Sequence, residues 1–154
     1  MKTLTEGSTA PDFELPDQNG RPVSLSGLLA NGPVVLFFYP VADSPGCTRE
    51  ACHFRDLAAE FAETGAQRIG ISRDTVEKQQ AFDTHHGLGY PVLSDADGAV
   101  ADAYGVKRGL LGALVPVKRT TFVVDRDQVV RAVIASETNM SVHADKALST
   151  LHSL

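Results

Sequence analysis

Residues 34–63 read VVLFFYPVADSPGCTREACHFRDLAAEFAE, and the change of rhythm inside this stretch decides the fold. VVLFFY, residues 34–39, is an unbroken apolar run rich in β-branched and aromatic residues. Such a run suits a central strand buried on both faces, where no position has to face water. After Thr48 the period changes. Phe54, Leu57, Ala58 and Phe61 fall at i, i+3, i+4 and i+7, one face of a helix predicted over 48–63 and ended near Gly65.

The alternation continues outward in both directions. Upstream, PDFELPDQNGRPVSL (11–25) carries a turn signal at Asp17, Asn19 and Gly20 between short alternating runs, which predicts a small hairpin. Downstream, RIGIS (68–72) predicts a strand, TVEKQQAFDTHHG (75–87) a helix and YPVLSD (90–95) a short strand. A short helix follows over 97–105, with Asp95 or Asp97 near its start. TTFVVD (120–125) and VVRAVIA (129–135) predict two strands joined at Arg126-Asp127-Gln128, and 141–154 predict a closing helix. Strand–helix–strand units followed by a hairpin and a last helix imply an α/β three-layer sandwich with a mixed central sheet and an N-terminal hairpin.

The chain has 154 residues, a length that suits one domain over 1–154. Apolar residues make up 43% and charged ones 21%, the balance of a globular chain rather than a disordered one. Fourteen Lys and Arg against nineteen Asp and Glu give a net charge of -5 without basic clusters. Nucleic acid and anionic membrane are therefore excluded as expected partners, because the cations that would neutralise phosphate are missing. MKTLTEGSTAPDFELP at the start has no apolar stretch of signal-peptide length, and the expected location is the cytoplasm. In a reducing compartment two cysteines are not expected to form a permanent staple.

Both cysteines lie in DSPGCTREAC, residues 43–52. Ser44 is a good helix N-cap and Pro45 suits the first helical position, where no N–H is needed. Cys47 then falls in the first turn, where free N–H groups and the positive end of the helix dipole favour a thiolate. Two readings stand for such a residue, a nucleophile and a small buried side chain. Cys52 is five residues on, which on an intact helix places the two Cα atoms ~8.7 Å apart. A disulfide needs less than roughly 7 Å, so the pair cannot close unless the first turns unwind. Zinc fits poorly, because the spacing is wrong for a two-cysteine knuckle and no second cluster supplies ligands. No metal is expected. His53, His85 and His86 read as surface residues, the last two as helix neighbours facing different directions.

FFYPVADSPGCTREACHFRD resembles the active-site segment of peroxiredoxins, in the branch known as peroxiredoxin Q or bacterioferritin comigratory protein. That branch opens a helix with Pro-x-x-x-(Thr/Ser)-x-x-Cys and has a resolving cysteine five residues downstream. Pro40, Ser44, Cys47 and Cys52 match these positions, and KRTTFVVD supplies the family's late arginine as Arg119, 119 - 47 = 72 residues on. Ser44 stands where many members have Thr; both carry the hydroxyl. The resemblance runs from APDFELPDQNG to the closing helix and implies a thioredoxin-like fold. It also implies a peroxidase that reduces hydrogen peroxide and organic hydroperoxides through a Cys47 sulfenic acid. Cys52 would resolve this as an intramolecular disulfide, with thioredoxin or a similar dithiol restoring both thiols and no cofactor needed. Arg119 would hold thiolate and peroxide, Ser44 would bond the peroxide, and Pro40 would shield the site. A monomer is expected, with a weak dimer as the alternative.

Several alternatives stay open on the residues alone. Taken by itself, an arginine before a strand favours the other reading of Arg119, a surface partner of Asp125 or another acid, and Glu50 either pairs with an active-site arginine or sits on the solvated helix face. Tyr39 either orients Arg119 or packs in the core. Leu110, Leu111, Leu114 and Val115, within the Gly-rich stretch 105–118, either line a peroxide pocket or partner surface or plug the core. Among rival functions, a thiol–disulfide oxidoreductase would want a cysteine at Ser44. A glutathione-peroxidase-like enzyme would want a tryptophan, and the chain has none. A redox-controlled chaperone is the reading from a different class.

Overall fold

The structure, a computed structural model, describes residues 2–108 and 116–154. Its centre is a five-stranded sheet in the order β5-β4-β3-β6-β7, built from β3 (Val34–Phe38), β4 (Gln67–Ser72), β5 (Val92–Ser94), β6 (Thr120–Val124) and β7 (Val130–Ala135). β3, β4 and β5 run parallel, whereas β6 is antiparallel to both β3 and β7, so the sheet is mixed. A separate ribbon of β1 (Glu14–Pro16) and β2 (Pro22–Ser24) is the expected N-terminal hairpin. Its turn is tied by Asp17, whose carboxylate accepts from the N–H groups of Asn19 and Arg21.

Helices cover both faces of the sheet. β3 shows why its sequence carries no polar residue. Val34, Leu36 and Phe38 enter one core with residues of α1 (Leu25–Leu29) and α5 (Ala99–Ala103), while Val35, Phe37 and Tyr39 enter a second. That second core is closed by α2 (Pro45–Asp56), α3 (Ala58–Thr64), α4 (Val76–His86) and α6 (Ser141–His152). Phe37 stacks on Phe54 of α2 with ring centroids 4.2 Å apart, which docks the middle of that helix on the central strand.

Two local features differ from the sequence reading. The helix expected over 48–63 is two helices, broken at Leu57 (φ -93°, ψ 21°). Arg68 donates from Nη1 to the Phe54 carbonyl at 2.8 Å, and this is the acceptor that Ala58 would use in a continuous helix. The side chain therefore replaces a rung of the ladder, while Leu57 N–H still donates to the His53 carbonyl and Phe61 N–H to the Leu57 carbonyl. The other feature is α1, which the sequence reading does not contain. Five residues are too few to show a period, and this helix rests on its cap, the Ser24 hydroxyl accepting from Gly27 N–H.

Elsewhere the boundaries shift by one to three residues. Thr75 caps α4 by accepting from Lys78 N–H, and Gly87 ends it in the left-handed conformation. Both candidate acids at the start of α5 take part. Asp95 accepts from Val100 and Ala101 N–H, and Asp97 from Ala99 N–H. Leu110, Leu111, Leu114 and Val115 lie outside the described residues.

Candidate active site around Cys47 and Arg119

α2 starts as its sequence implies. Ser44 is the N-cap with extended backbone, Pro45 is the first helical residue, and Cys47 lies in the first turn, 1% exposed. The Ser44 hydroxyl does not cap the helix. It donates to the Val41 carbonyl at 2.8 Å, which uses its one proton and leaves its lone pairs free to accept. Pro40 is half-buried two residues past the end of β3 and has no N–H to present.

Arg119 enters from the chain just before β6, next to β3 in the sheet, and is 6% exposed. Nη2 donates to Cys47 Sγ at 3.3 Å and Nη1 to Glu50 Oε1 at 2.7 Å. Gly46 makes this approach possible, because a Cβ there would stand 3.1 Å from Arg119 Nη2. The fork of the guanidinium thus spans one helical turn, from the thiol at position 47 to the carboxylate at 50. Of the two readings open for each, Arg119 and Glu50 take the paired and buried one. Asp125 instead accepts from Arg131.

Glu50 is wholly buried, and burial pushes its carboxyl up to about 8 against the pull of Arg119. Burial acts on Arg119 in the opposite sense, yet Glu50 and Cys47 hold the guanidinium above its ordinary range, so it stays charged. Glu50 Oε2 has no hydrogen-bond partner among the described residues and lies 3.5 Å from His143 Nδ1 on α6. That ring nitrogen meets the Thr121 hydroxyl at 2.8 Å, while Nε2 reaches the Ser136 carbonyl at 2.9 Å. Burial holds His143 below its ordinary range, which favours the neutral ring with Nε2–H donating and Nδ1 accepting. His143 and Thr121 are absent from the sequence-based candidates. A histidine in an amphipathic helix 96 residues from Cys47 carries no local sign of pointing at it.

Cys52 is half-buried on the same uninterrupted α2 as Cys47, and both thiols are free. Tyr39 does not hydrogen-bond Arg119; its hydroxyl donates to the buried Gln79 side chain, and its ring lies in the core. His53 is partly exposed and pairs with Asp145 at 2.8 Å. His85 and His86 depart from the expectation that they face different ways, since both ring systems meet the Asp43 carboxylate at 3.0 Å.

A buried thiol at a helix start, held by an arginine from the neighbouring strand, is the arrangement of a thiol peroxidase, and comparison agrees with it. Residues 7–133 match the AhpC/TSA family. The chain belongs to that family. Peroxidoxin BcpB from Mycobacterium tuberculosis, known from a crystal structure, is 62% identical with a TM-score of 0.94, covering 98% of each chain. The chloroplastic peroxiredoxin Q of Sedum lineare is 42% identical over 98% of this chain and 80% of its own. The Xanthomonas campestris bacterioferritin comigratory protein is 28% identical with a TM-score of 0.84, covering 99% of this chain and 98% of that one. These relatives bear out the peroxiredoxin Q and bacterioferritin comigratory protein branch and the thioredoxin-like fold. As a member of it, this peroxiredoxin is an oxidoreductase of the peroxidase class.

Proposed function

We propose that the protein reduces hydrogen peroxide and organic hydroperoxides with Cys47 as the peroxidatic thiol, Cys52 as its resolving partner, and thioredoxin or a similar dithiol as reductant. The observation that carries this reading is Arg119 Nη2 at 3.3 Å from Cys47 Sγ. A charge-assisted donor on sulfur favours the thiolate, and the same cation stabilises negative charge that moves to a departing oxygen. The alkyl peroxide reduction named for the Xanthomonas protein supports the organic part of the substrate range.

The Cys47 thiolate attacks one peroxide oxygen. The S–O bond forms as the O–O bond breaks, and the alcohol or water leaves with a proton, so sulfur is oxidised to sulfenic acid and peroxide is reduced. Ser44, its proton engaged by Val41, acts as acceptor for the peroxide O–H. Pro40 keeps water from the sulfur side of the loop. The Cys52 thiolate then attacks the Cys47 sulfur, hydroxide leaves and takes up a proton as water, and the disulfide forms. Thiol–disulfide exchange with the external dithiol returns both thiols.

The whole chain, 1–154, acts as one domain in this account, in a reducing compartment such as the cytoplasm and as a monomer. Single-turnover stopped flow tests it. Cys47→Ser should consume no peroxide, whereas Cys52→Ser should consume one equivalent and accumulate a trappable sulfenic acid. Appreciable peroxide turnover by Cys47→Ser contradicts the assignment of the nucleophile. Unimpaired multiple turnover of Cys52→Ser with thioredoxin contradicts that of the resolver.

A further inference from the structure

Asp43, His85 and His86 bring three ligand-type side chains to one point at the edge of the active-site loop. Asp43 lies in the loop between β3 and α2, next to Ser44, with its backbone at φ 64°. The two histidines end α4, directly before Gly87. Successive helical residues point about 100° apart, so their convergence needs an explanation. His85 uses the ring nitrogen nearer its backbone, Nδ1, and His86 the farther one, Nε2, with the two rings nearly perpendicular at 88°. A short reach and a long reach therefore meet at the same place. Each histidine takes a different oxygen of Asp43, at 3.0 Å in both cases, and the three ligand atoms lie within 4.8 Å of one another.

We propose that these three residues form a site for a first-row divalent transition-metal cation, and that a cation held there pins the β3–α2 loop to α4 and slows formation of the Cys47–Cys52 disulfide. Two imidazoles and one carboxylate are the ligands that zinc, nickel and copper accept, and three protein ligands leave a fourth position for water. Tetrahedral bonds of ~2.1 Å would set the ligand atoms roughly 3.4 Å apart. The side chains are 58%, 37% and 25% exposed for His85, Asp43 and His86, so the small adjustment from 3.0 Å contacts and a spread within 4.8 Å meets little packing resistance. His86 gives the site its fixed point. Its ring packs edge-on against buried Phe82 at 5.5 Å, and its carbonyl accepts from Arg55 Nη1 at 2.7 Å. Metal bonds to Asp43 would thus join the residue before the α2 N-cap to a helix that does not have to move. The kinetic half of the proposal rests on the resolving role of Cys52; the binding half does not.

Zinc titration calorimetry on the Cys47→Ser/Cys52→Ser protein removes the thiols as competing ligands. One equivalent of Zn2+ should bind, and adding His85→Gln/His86→Gln should weaken it at least about tenfold. Equal affinity with and without the two histidines, or no binding to either protein, overturns the site. Stopped flow on the chain with both cysteines reads the consequence, with Zn2+ added after sulfenic acid has formed. Disulfide formation should slow in the intact chain and stay unchanged in His85→Gln/His86→Gln. Equal slowing in both identifies zinc on the thiols and overturns the pinning. A chain that binds zinc through the histidines yet forms no disulfide under peroxide fails the functional reading and not the site.

Discussion

Arg119 and Cys47, 72 residues apart in the chain, are joined by a 3.3 Å hydrogen bond from a guanidinium that is 6% exposed to a sulfur on a residue that is 1% exposed. In so dry a setting the donor is worth more than at a surface, because no water competes for it. Arg119→Ala should slow the reaction of reduced protein with peroxide by about 100- to 1,000-fold, the cost of removing one charge-stabilising donor. The rate at which an external dithiol reduces the disulfide should stay within a few-fold. Stopped flow on each half-reaction separates the two, and equal loss in both would make Arg119 a structural residue only.

Gly46 offers a gentler test of the same contact. Its missing Cβ leaves the space that Arg119 Nη2 occupies, 3.1 Å from where that atom would stand. Gly46→Ala should displace the guanidinium by a few tenths of an ångström while favouring the helix. A misplacement of ~1 Å can cost roughly 100-fold in rate, so about a tenfold loss is expected here. The denaturant midpoint should not fall. A variant that keeps its full peroxide rate would show that Arg119 need not hold this position.

The buried Glu50 gives a pH dependence of defined sign. Its carboxyl is raised from an ordinary 4.5 to about 8, so the folded chain retains a proton that the unfolded chain has released between those values. Stability from this group is full below about 4.5 and is lost as the pH rises through about 8. Glu50→Gln keeps an oxygen for Arg119 Nη1 and removes the titration. Its stability relative to the natural chain should therefore increase from about pH 5 to about pH 9. Parallel stability curves by urea unfolding would contradict the raised value.

The readable parts of this site are those whose roles show in nearby residues. Ser44-Pro45 marks a helix start, and the apolar rhythm of 34–39 fixes the central strand, so Cys47 is placed by its own neighbours. Glu50 is undecided in the sequence because a carboxylate three residues after a cysteine suits solvent or arginine equally. Only the fold, which sets β6 against β3, brings Arg119 across it. His143 and Thr121 are invisible for the same reason. The break at Leu57 is hidden because Arg68, which takes the Phe54 carbonyl, lies on a later strand. The meeting of His85 and His86 on Asp43 depends on the loop, and helical spacing alone argues against it.

Both cysteines sit on α2 without a break between them, and an intact helix keeps Cα atoms five residues apart at ~8.7 Å. The disulfide therefore requires the first turns to melt, at roughly 1 kcal/mol for each backbone bond lost. The stack of Phe54 on Phe37 marks where melting should stop. In the oxidised protein, amides of Cys47 to His53 should lose hydrogen-exchange protection, while those of β3 keep theirs. Equal protection of that segment in both redox states would exclude this route.

The intramolecular disulfide is the centre of the account, and one measurement addresses it most directly. Reduced protein is mixed with a single equivalent of hydrogen peroxide, quenched with an alkylating agent, and digested without reductant for mass spectrometry. The intact chain should be lighter by two hydrogens and carry no alkyl group, with one linked species that joins Cys47 to Cys52. A chain with Cys52 alkylated and Cys47 carrying one added oxygen, or a disulfide between two chains, would contradict it.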